Sequence, residues 1–205
     1  MYALVQMEAT PMNPEVFAVE LEQGIDASTF DFLLQFVQEG KREHIHKMKI
    51  KRDKDLSLTG DILAKLAIKK VFGIPFAEIK FDLTQAGKPY VFNRCDVHFN
   101  ISHSGNRVVC AVHDKPVGID IQKMKEPRLE ALAKRFFTQK EQECFFSTPP
   151  DTRKVQFFKI WTAKESYIKF LGTGMKDVKK DIDESCVIRT SLLFPDYVVS
   201  ICHER

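Results

Sequence analysis

The chain of 205 residues carries 31 Lys+Arg against 28 Asp+Glu, a formal charge of +3, with 44% hydrophobic and 29% charged residues. That balance is ordinary for a globular protein and excludes a collagen-like, disordered or disulfide-scaffold chain. A chain this long buries roughly 70% of its unfolded surface, so a core can form without metal or disulfide staples.

So small a net charge does not announce a nucleic-acid binder, and the placement of the charges matters more than their sum. The five cysteines (Cys95, Cys110, Cys144, Cys186, Cys202) are odd in number, widely spaced and free of any CxxC pair. Zinc and a disulfide framework are therefore not expected. The N-terminal residues have no basic segment followed by an apolar run, and no stretch approaches the ~20 apolar residues of a membrane helix. The expectation is a reduced, soluble, cytoplasmic protein with no membrane partner.

Residues 1–8 read as a short strand, and Pro11 to Pro14 as a loop. Phe32, Leu33 and Phe36 fall at helical spacing within Asp31 to Val37. The most basic stretch follows, from Lys41 to Lys54. It sets seven Lys or Arg against Glu43 and Asp53, and the rest of the chain is slightly acidic. Leu58, Ile62, Leu63 and Leu66 make an amphipathic helix from about Ser57 to Phe72, stopped by Gly73 and Pro75. Gly87-Lys88-Pro89-Tyr90 reads as a turn. Arg107 to His113 is apolar on both faces, as a central strand is, and Asp114-Lys115-Pro116 turns the chain into a strand over Val117 to Gln122.

Helical patterns then run over Arg128 to Phe137 and Thr138 to Phe146. Thr148 to Thr152, with Pro149 and Pro150, breaks them, and a longer helix is expected from Val155 to Leu171, ending at Gly172. Two late strands lie around Cys186 to Arg189 and Tyr197 to Cys202. Each half has short strands around one long helix, which suggests two similar α+β halves joined near Asp114–Val117, namely 1–114 and 115–205.

Four constellations can carry chemistry. In Gly118-Ile119-Asp120-Ile121-Gln122, strand alternation puts Asp120 and Gln122 on one face, where two oxygen-bearing side chains can ligate a hard cation such as Mg²⁺. The same spacing also fits a half-buried strand with a polar solvent face. In Trp161-Thr162-Ala163-Lys164-Glu165-Ser166-Tyr167-Ile168-Lys169, Glu165 and Lys169 share a helix face beside Lys164. A carboxylate between two ammonium groups can take a metal or a proton while the lysines hold phosphate; a surface ion pair is the plainer alternative.

Asn100-Ile101-Ser102-His103-Ser104-Gly105 looks like a strand entering a loop of hydroxyls, an imidazole and free N–H groups, fit for phosphate oxygens or simply a capped turn. No G-x-S-x-G elbow accompanies it. The basic stretch, together with Lys88, can bind phosphates or an acidic protein surface, or be a solvated helix face. It contains no aromatic residue, against a single-strand nucleic-acid platform.

The order and spacing of these segments are more specific than any one of them. Gly118-Ile119-Asp120, followed some forty residues later by Trp161 to Lys169, resembles the signature of the 4′-phosphopantetheinyl transferases. Asn100-Ile101-Ser102-His103-Ser104 and Gly87-Lys88-Pro89 are similar to two further motifs of the surfactin-synthetase-activating class, and Lys41-Arg42-Glu43 and Thr59-Gly60-Asp61 to its N-terminal half.

The resemblance implies an α+β fold of two pseudo-symmetric subdomains, each a small sheet packed with a long helix, with a ligand cleft between them. It implies transfer of the 4′-phosphopantetheine arm of coenzyme A to a serine of an apo acyl or peptidyl carrier protein, with release of 3′,5′-ADP. Asp120, Gln122 and Glu165 would hold Mg²⁺. Glu165, Lys169 and Asp120 would be catalytic, with Glu165 taking the serine proton directly or through a metal-bound water. Lys41, His44, Lys88, Pro89, Ser102, His103, Lys164 and Lys169 would bind coenzyme A.

Three positions depart from the family pattern: Gln122 stands where many members have Glu, His44 where a lysine is frequent, and Leu56 where a basic residue precedes the hydroxyl. A monomer with no nucleic-acid partner is expected by resemblance. Other chemistries open to the same residues are a Mg²⁺-dependent nucleotide phosphohydrolase and a non-catalytic module binding an acidic protein or RNA.

Overall fold

A computed structural model describes residues 5–6, 13–125, 128–174, 177–193 and 195–205. Its core is four layers deep, with a helix outside each of two sheets packed face to face. The first sheet has the order β1-β2-β6-β5, from β1 (Val5–Gln6), β2 (Glu15–Glu20), β5 (His98–Ser104) and β6 (Arg107–His113). The second has the order β7-β9-β8, from β7 (Val117–Lys123), β8 (Cys186–Leu192) and β9 (Tyr197–Glu204), and a separate hairpin joins β3 (Phe81–Leu83) to β4 (Pro89–Val91). All pairings are antiparallel. With its helices beside these small sheets, the fold is α+β.

Alternation along β6 explains the layering. Val108, Cys110 and Val112 face the long helix α3 (Lys51–Phe72), packing with Leu58, Ala64 and Ile68. Val109 and Ala111 face the second sheet, meeting Val117, Ile119, Ile121, Val199 and Ile201. A strand used on both faces must be apolar on both, as β6 is. On the far side, Val198 of β9 packs under α4 (Leu129–Phe136), α5 (Gln139–Ser147) and α6 (Pro150–Leu171) through Phe137, Phe145, Phe157 and Phe158.

Helix ends differ from the sequence reading for identifiable reasons. α3 begins at Lys51, not near Ser57, because its first turns are polar and held by hydrogen bonds: Lys51 Nζ donates to Asp55 Oδ2 at 2.7 Å and to the Ile25 carbonyl at 2.6 Å. The basic stretch is therefore two helices, α2 (Glu39–Lys47) and the start of α3. α6 begins at Pro150, five residues before Val155, because proline is well suited to the first helical position. α1 covers Ala27–Leu34, with Asp26 as its cap, so Phe36 and Val37 lie in the turn that follows. Pro89 and Tyr90 belong to β4 rather than to the turn. Of the strand expected at 1–8, Val5–Gln6 is seen; residues 1–4 and 7–8, and residues 11–12 of the expected loop, lie outside the described residues.

Gly118 lets β7 and α6 approach backbone to backbone. A Cβ there would overlap the Ser166 carbonyl oxygen and the Phe170 nitrogen, neither of which can swing aside. Gly118→Ala is expected to destabilise the protein toward the upper end of about 1–3 kcal/mol. Gly40→Ala, in α2 with open space around it, should gain roughly 0.5–1 kcal/mol from helix propensity. Urea denaturation of both variants checks the pair; wild-type stability in Gly118→Ala would refute the contact.

Candidate active site

The two sheets meet along an edge where β5 and β7 share no backbone ladder. Side chains of β5 replace it. Asn100 Oδ1 accepts from Ile119 N at 2.9 Å, Ser102 Oγ from Ile121 N at 3.3 Å, and Ser104 Oγ from Lys123 N at 3.0 Å. Residues two apart on one strand share a face, and alternate N–H groups of β7 point to one edge, so the two periods match. This fixes Asp120 between two of the rungs.

Asp120 is 1% exposed, the reverse of a polar solvent face. Its Oδ1 accepts from Ser102 Oγ at 2.8 Å and from Lys169 Nζ at 2.7 Å, and Lys169 Nζ also donates to Ser102 Oγ at 2.8 Å. Ser102 thus uses its hydroxyl proton and both lone pairs. Gln122 Nε2 donates to Asp120 Oδ2 at 3.3 Å, while Gln122 Oε1 accepts from Ser104 Oγ at 3.4 Å.

Lys169 comes from the last turn of α6, and Glu165 stands one turn before it. Burial first, then the Asp120 charge, pushes the Glu165 carboxyl above its ordinary value, while Lys169 opposes the rise. His103 lies on the opposite face of β5 from Ser102, at the surface, near both Lys169 and Lys41. Desolvation, then the Lys169 and Lys41 ammonium groups, holds its imidazole pKa below the usual range, against Asp53 and Asp120.

The remaining expected residues fall into three places. Lys41, His44 and Pro89 line a cavity of about 630 Å³ with Asp61, Phe81, Phe99 and Ile101. Burial lowers the Lys41 pKa, with Asp61 pulling it back up. Lys88 joins the hairpin to both β7 and α6, donating to the Val117 carbonyl at 3.2 Å and the Phe170 carbonyl at 3.1 Å. Burial lowers its pKa to about 8. Lys88 and Pro89 also border a depression of about 220 Å³ shared with Asn100 and Lys169.

Lys164 is not brought to the cluster. It is 2% exposed, and its ammonium lies 2.9 Å from Glu141 Oε1 and 2.8 Å from Oε2, with the Lys180 carbonyl at 3.4 Å. Helix geometry explains the separation: five residues on, Lys169 has turned by about 140° relative to Lys164.

Sequence reasoning did not single out Asn100 and Ser104 as individual residues, nor Asp61. The first two carried a readable signal, three hydrogen-bonding side chains at strand period. Asp61 was legible only as the last residue of Thr59-Gly60-Asp61; its burial in the wall of the larger cavity was not.

Among the described residues no three His, Cys, Asp or Glu side chains converge on a metal position. The cluster instead offers two carboxylates, while the Gln122 amide turns its NH₂ to Asp120 and its oxygen to Ser104. The two carboxylates fit Mg²⁺, which takes one or two protein carboxylates and fills the rest of its octahedron with water and substrate phosphates.

A buried and a half-buried carboxylate with one ammonium, and a histidine that feels both Lys169 and Lys41, make a set of groups suited to a phosphorylated ligand. Family comparison agrees. Residues 26–115 match the model of the 4′-phosphopantetheinyl transferase N-terminal region, and residues 116–198 match that of the 4′-phosphopantetheinyl transferase superfamily. A 4′-phosphopantetheinyl transferase of Bacillus subtilis is 35% identical over 92% of this chain and 91% of its own length. The Sfp transferase of Bacillus subtilis strain 168 is 30% identical over the same shares, and psf-1 of Bacillus pumilus 32% over 93% and 90%. The chain belongs to the 4′-phosphopantetheinyl transferase superfamily, in its Sfp-like class, and is a transferase.

Lys164 is held by a buried ion pair, so its loss should be felt in folding. Lys164→Met is expected to lower the unfolding free energy by about 2–3 kcal/mol, below the range of a fully buried pair because Glu141 keeps some contact with water. Denaturant titration checks this, and an unchanged midpoint would show that the pair contributes nothing.

Proposed function

We propose that this transferase moves the 4′-phosphopantetheine arm of coenzyme A to a serine of an apo acyl or peptidyl carrier protein, releasing 3′,5′-ADP, with Mg²⁺ as cofactor. The observation that carries the reading is the Ser102–Asp120–Lys169 cluster beside Glu165, with His103 close enough to feel both the Lys169 and the Lys41 ammonium groups.

Asp120 and Glu165 would hold the cation in this reading, and Gln122 would join them through its amide oxygen only by turning its amide over, since that oxygen now meets Ser104. Bound there, Mg²⁺ supplies Lewis-acid relief of the charge that develops on the pyrophosphate during attack. Lys169 adds a second positive group at the same oxygens. Lys41, His44 and His103 hold the 3′-phosphate end from the other wall, with Lys88 and Pro89 shaping the side nearest α6. Ser102 acts through Asp120 and Lys169, since its hydroxyl is fully committed to them and to Ile121 N. Lys164 supports α6 against α5 rather than meeting phosphate.

The nucleophile is the hydroxyl of the carrier. Its proton goes to Glu165, directly or through a water. The reading is of a cytoplasmic monomer whose halves, 1–114 and 115–205, close on coenzyme A, without nucleic-acid or membrane partners. No helix among the described residues is long and apolar enough to cross a membrane.

The decisive assay incubates the protein with coenzyme A, Mg²⁺ and an apo carrier protein, then weighs the carrier. A phosphopantetheine mass gain confined to one serine is expected. Phosphate release from coenzyme A without a carrier would instead indicate a phosphohydrolase. Asp120→Ala and Glu165→Ala are each expected to cost about 10²-fold or more in turnover while the fold persists. Full activity in Asp120→Ala would remove the metal assignment.

The metal-free chain gives a further check. A carboxyl whose pKa is raised takes up its proton at a higher pH than an ordinary one, so without a bound cation Glu165 is expected to titrate above the ordinary carboxyl value of 4.5. A carboxyl carbon-13 titration of the folded, metal-free protein checks this, and a midpoint at or below 4.5 would show that burial and Asp120 do not strengthen Glu165 as a base.

A further inference from the structure

Lys169 occupies one oxygen of the carboxylate that would hold a cation, and Gln122 Nε2 faces the other. Its ammonium lies 2.7 Å from Asp120 Oδ1 and is held a second time by Ser102 Oγ at 2.8 Å. Asp120 is shut away from water, and the other lysine of the motif, Lys164, is committed to Glu141 and cannot replace Lys169. A buried carboxylate stripped of its ammonium is strongly unfavourable, so one positive charge must stay at Asp120 in every state of the site.

We infer that Lys169 is an exchangeable counter-ion: in the ligand-free chain it closes Asp120 to divalent cations, and a pyrophosphate-bearing ligand draws it off and so opens the carboxylate. The inference rests on the placement of the cation at Asp120 proposed above. Two features make the exchange possible. Lys169 is about a quarter exposed on its long side chain, whereas Asp120 is fixed by the rungs on either side. The ammonium also borders the depression shared with Lys88 and Asn100, so an anion arriving there meets it directly.

The exchange has a thermodynamic consequence. Each ligand removes a cost from the binding of the other, because the pyrophosphate takes the ammonium and the cation takes the carboxylate. Metal and coenzyme A must then tighten one another by the same factor. Part of that coupling runs through Lys169 and disappears with it. The cation itself needs no contact with Lys169 for this to hold.

The test is Mn²⁺ binding to the purified chain, read by water-proton relaxation with and without coenzyme A and with no carrier present, so that no turnover occurs. Wild type is expected to bind Mn²⁺ weakly alone and more tightly with coenzyme A. Lys169→Met is expected to bind Mn²⁺ about tenfold or more tightly than wild type in the absence of coenzyme A, since the internal competitor is gone. Coenzyme A should add less in this variant.

Lys169→Gln serves if the methionine variant does not fold. Ser102→Ala, which removes one of the two anchors of the ammonium, should tighten Mn²⁺ by a smaller factor. Equal or weaker Mn²⁺ binding in the folded Lys169 variant overturns the exchange. The Asp120→Asn arm separates this from the underlying reading: it should lose Mn²⁺, and wild-type binding there would mean that the cation does not sit at Asp120.

Discussion

Three side-chain hydrogen bonds from Asn100, Ser102 and Ser104 to alternate N–H groups of β7 hold the two sheets together at their polar edge. Continuing one sheet into the next would place β5 and β7 in a common plane. Using side chains instead lets the sheets stack, so that Val109 and Ala111 can pack against Ile119 and Ile121. Three such bonds contribute only about 1 kcal/mol each. Leaving the two buried N–H groups, those of Ile119 and Ile121, unpaired costs more than forming the bonds gains, and for that reason the rungs specify the register between the sheets.

The middle rung belongs to the site as well as to the seam. Ser102 receives Ile121 N, gives its proton to Asp120 and accepts from Lys169, so sheet register, carboxylate orientation and the α6 lysine are set by one hydroxyl. Gly118 completes the arrangement from the other side by letting α6 lie on β7 without an intervening side chain. The result is a buried carboxylate positioned by β5 and β7, with the α6 lysine as its exchangeable partner. Such preorganisation is what an enzyme handling developing negative charge requires, because no reorganisation is left to be done at the moment of reaction. α6 carries the two lysines of its motif into different jobs, Lys164 toward Glu141 of α5 and Lys169 toward Asp120, because helical rotation separates them.

Much of this was legible in the sequence, and the exceptions share a physical cause. The apolar alternation of β6 and the glycine stops at Gly73 and Gly172 report local requirements, and local requirements are written locally. Both glycines adopt the left-handed conformation that ends their helices. The first turns of α3 were not legible from apolar periodicity, because Lys51 and Asp55 fasten them to the Ile25 backbone through polar contacts. Pro150 was read as a breaker although it opens α6, since proline punctuates both ends of helices. The motif residues Asp120, Ser102 and Lys169 were legible as chemistry, but burial of Asp120 was not: a polar strand face looks the same whether water or a helix covers it. Lys164 and Glu141 are far apart in the chain, and nothing in either segment announces their pairing.

The central claim is that the β5 side chains set the β7 register and thereby the position of Asp120. Amide hydrogen exchange resolved at Ile119, Ile121 and Lys123 tests it most directly, in wild type and in Asn100→Leu, which keeps the volume but loses the acceptor. The account predicts selective acceleration at Ile119, spreading to Ile121, together with loss of phosphopantetheine transfer and little change in the α3 core. Unaltered exchange at Ile119 with full transfer in Asn100→Leu would contradict it.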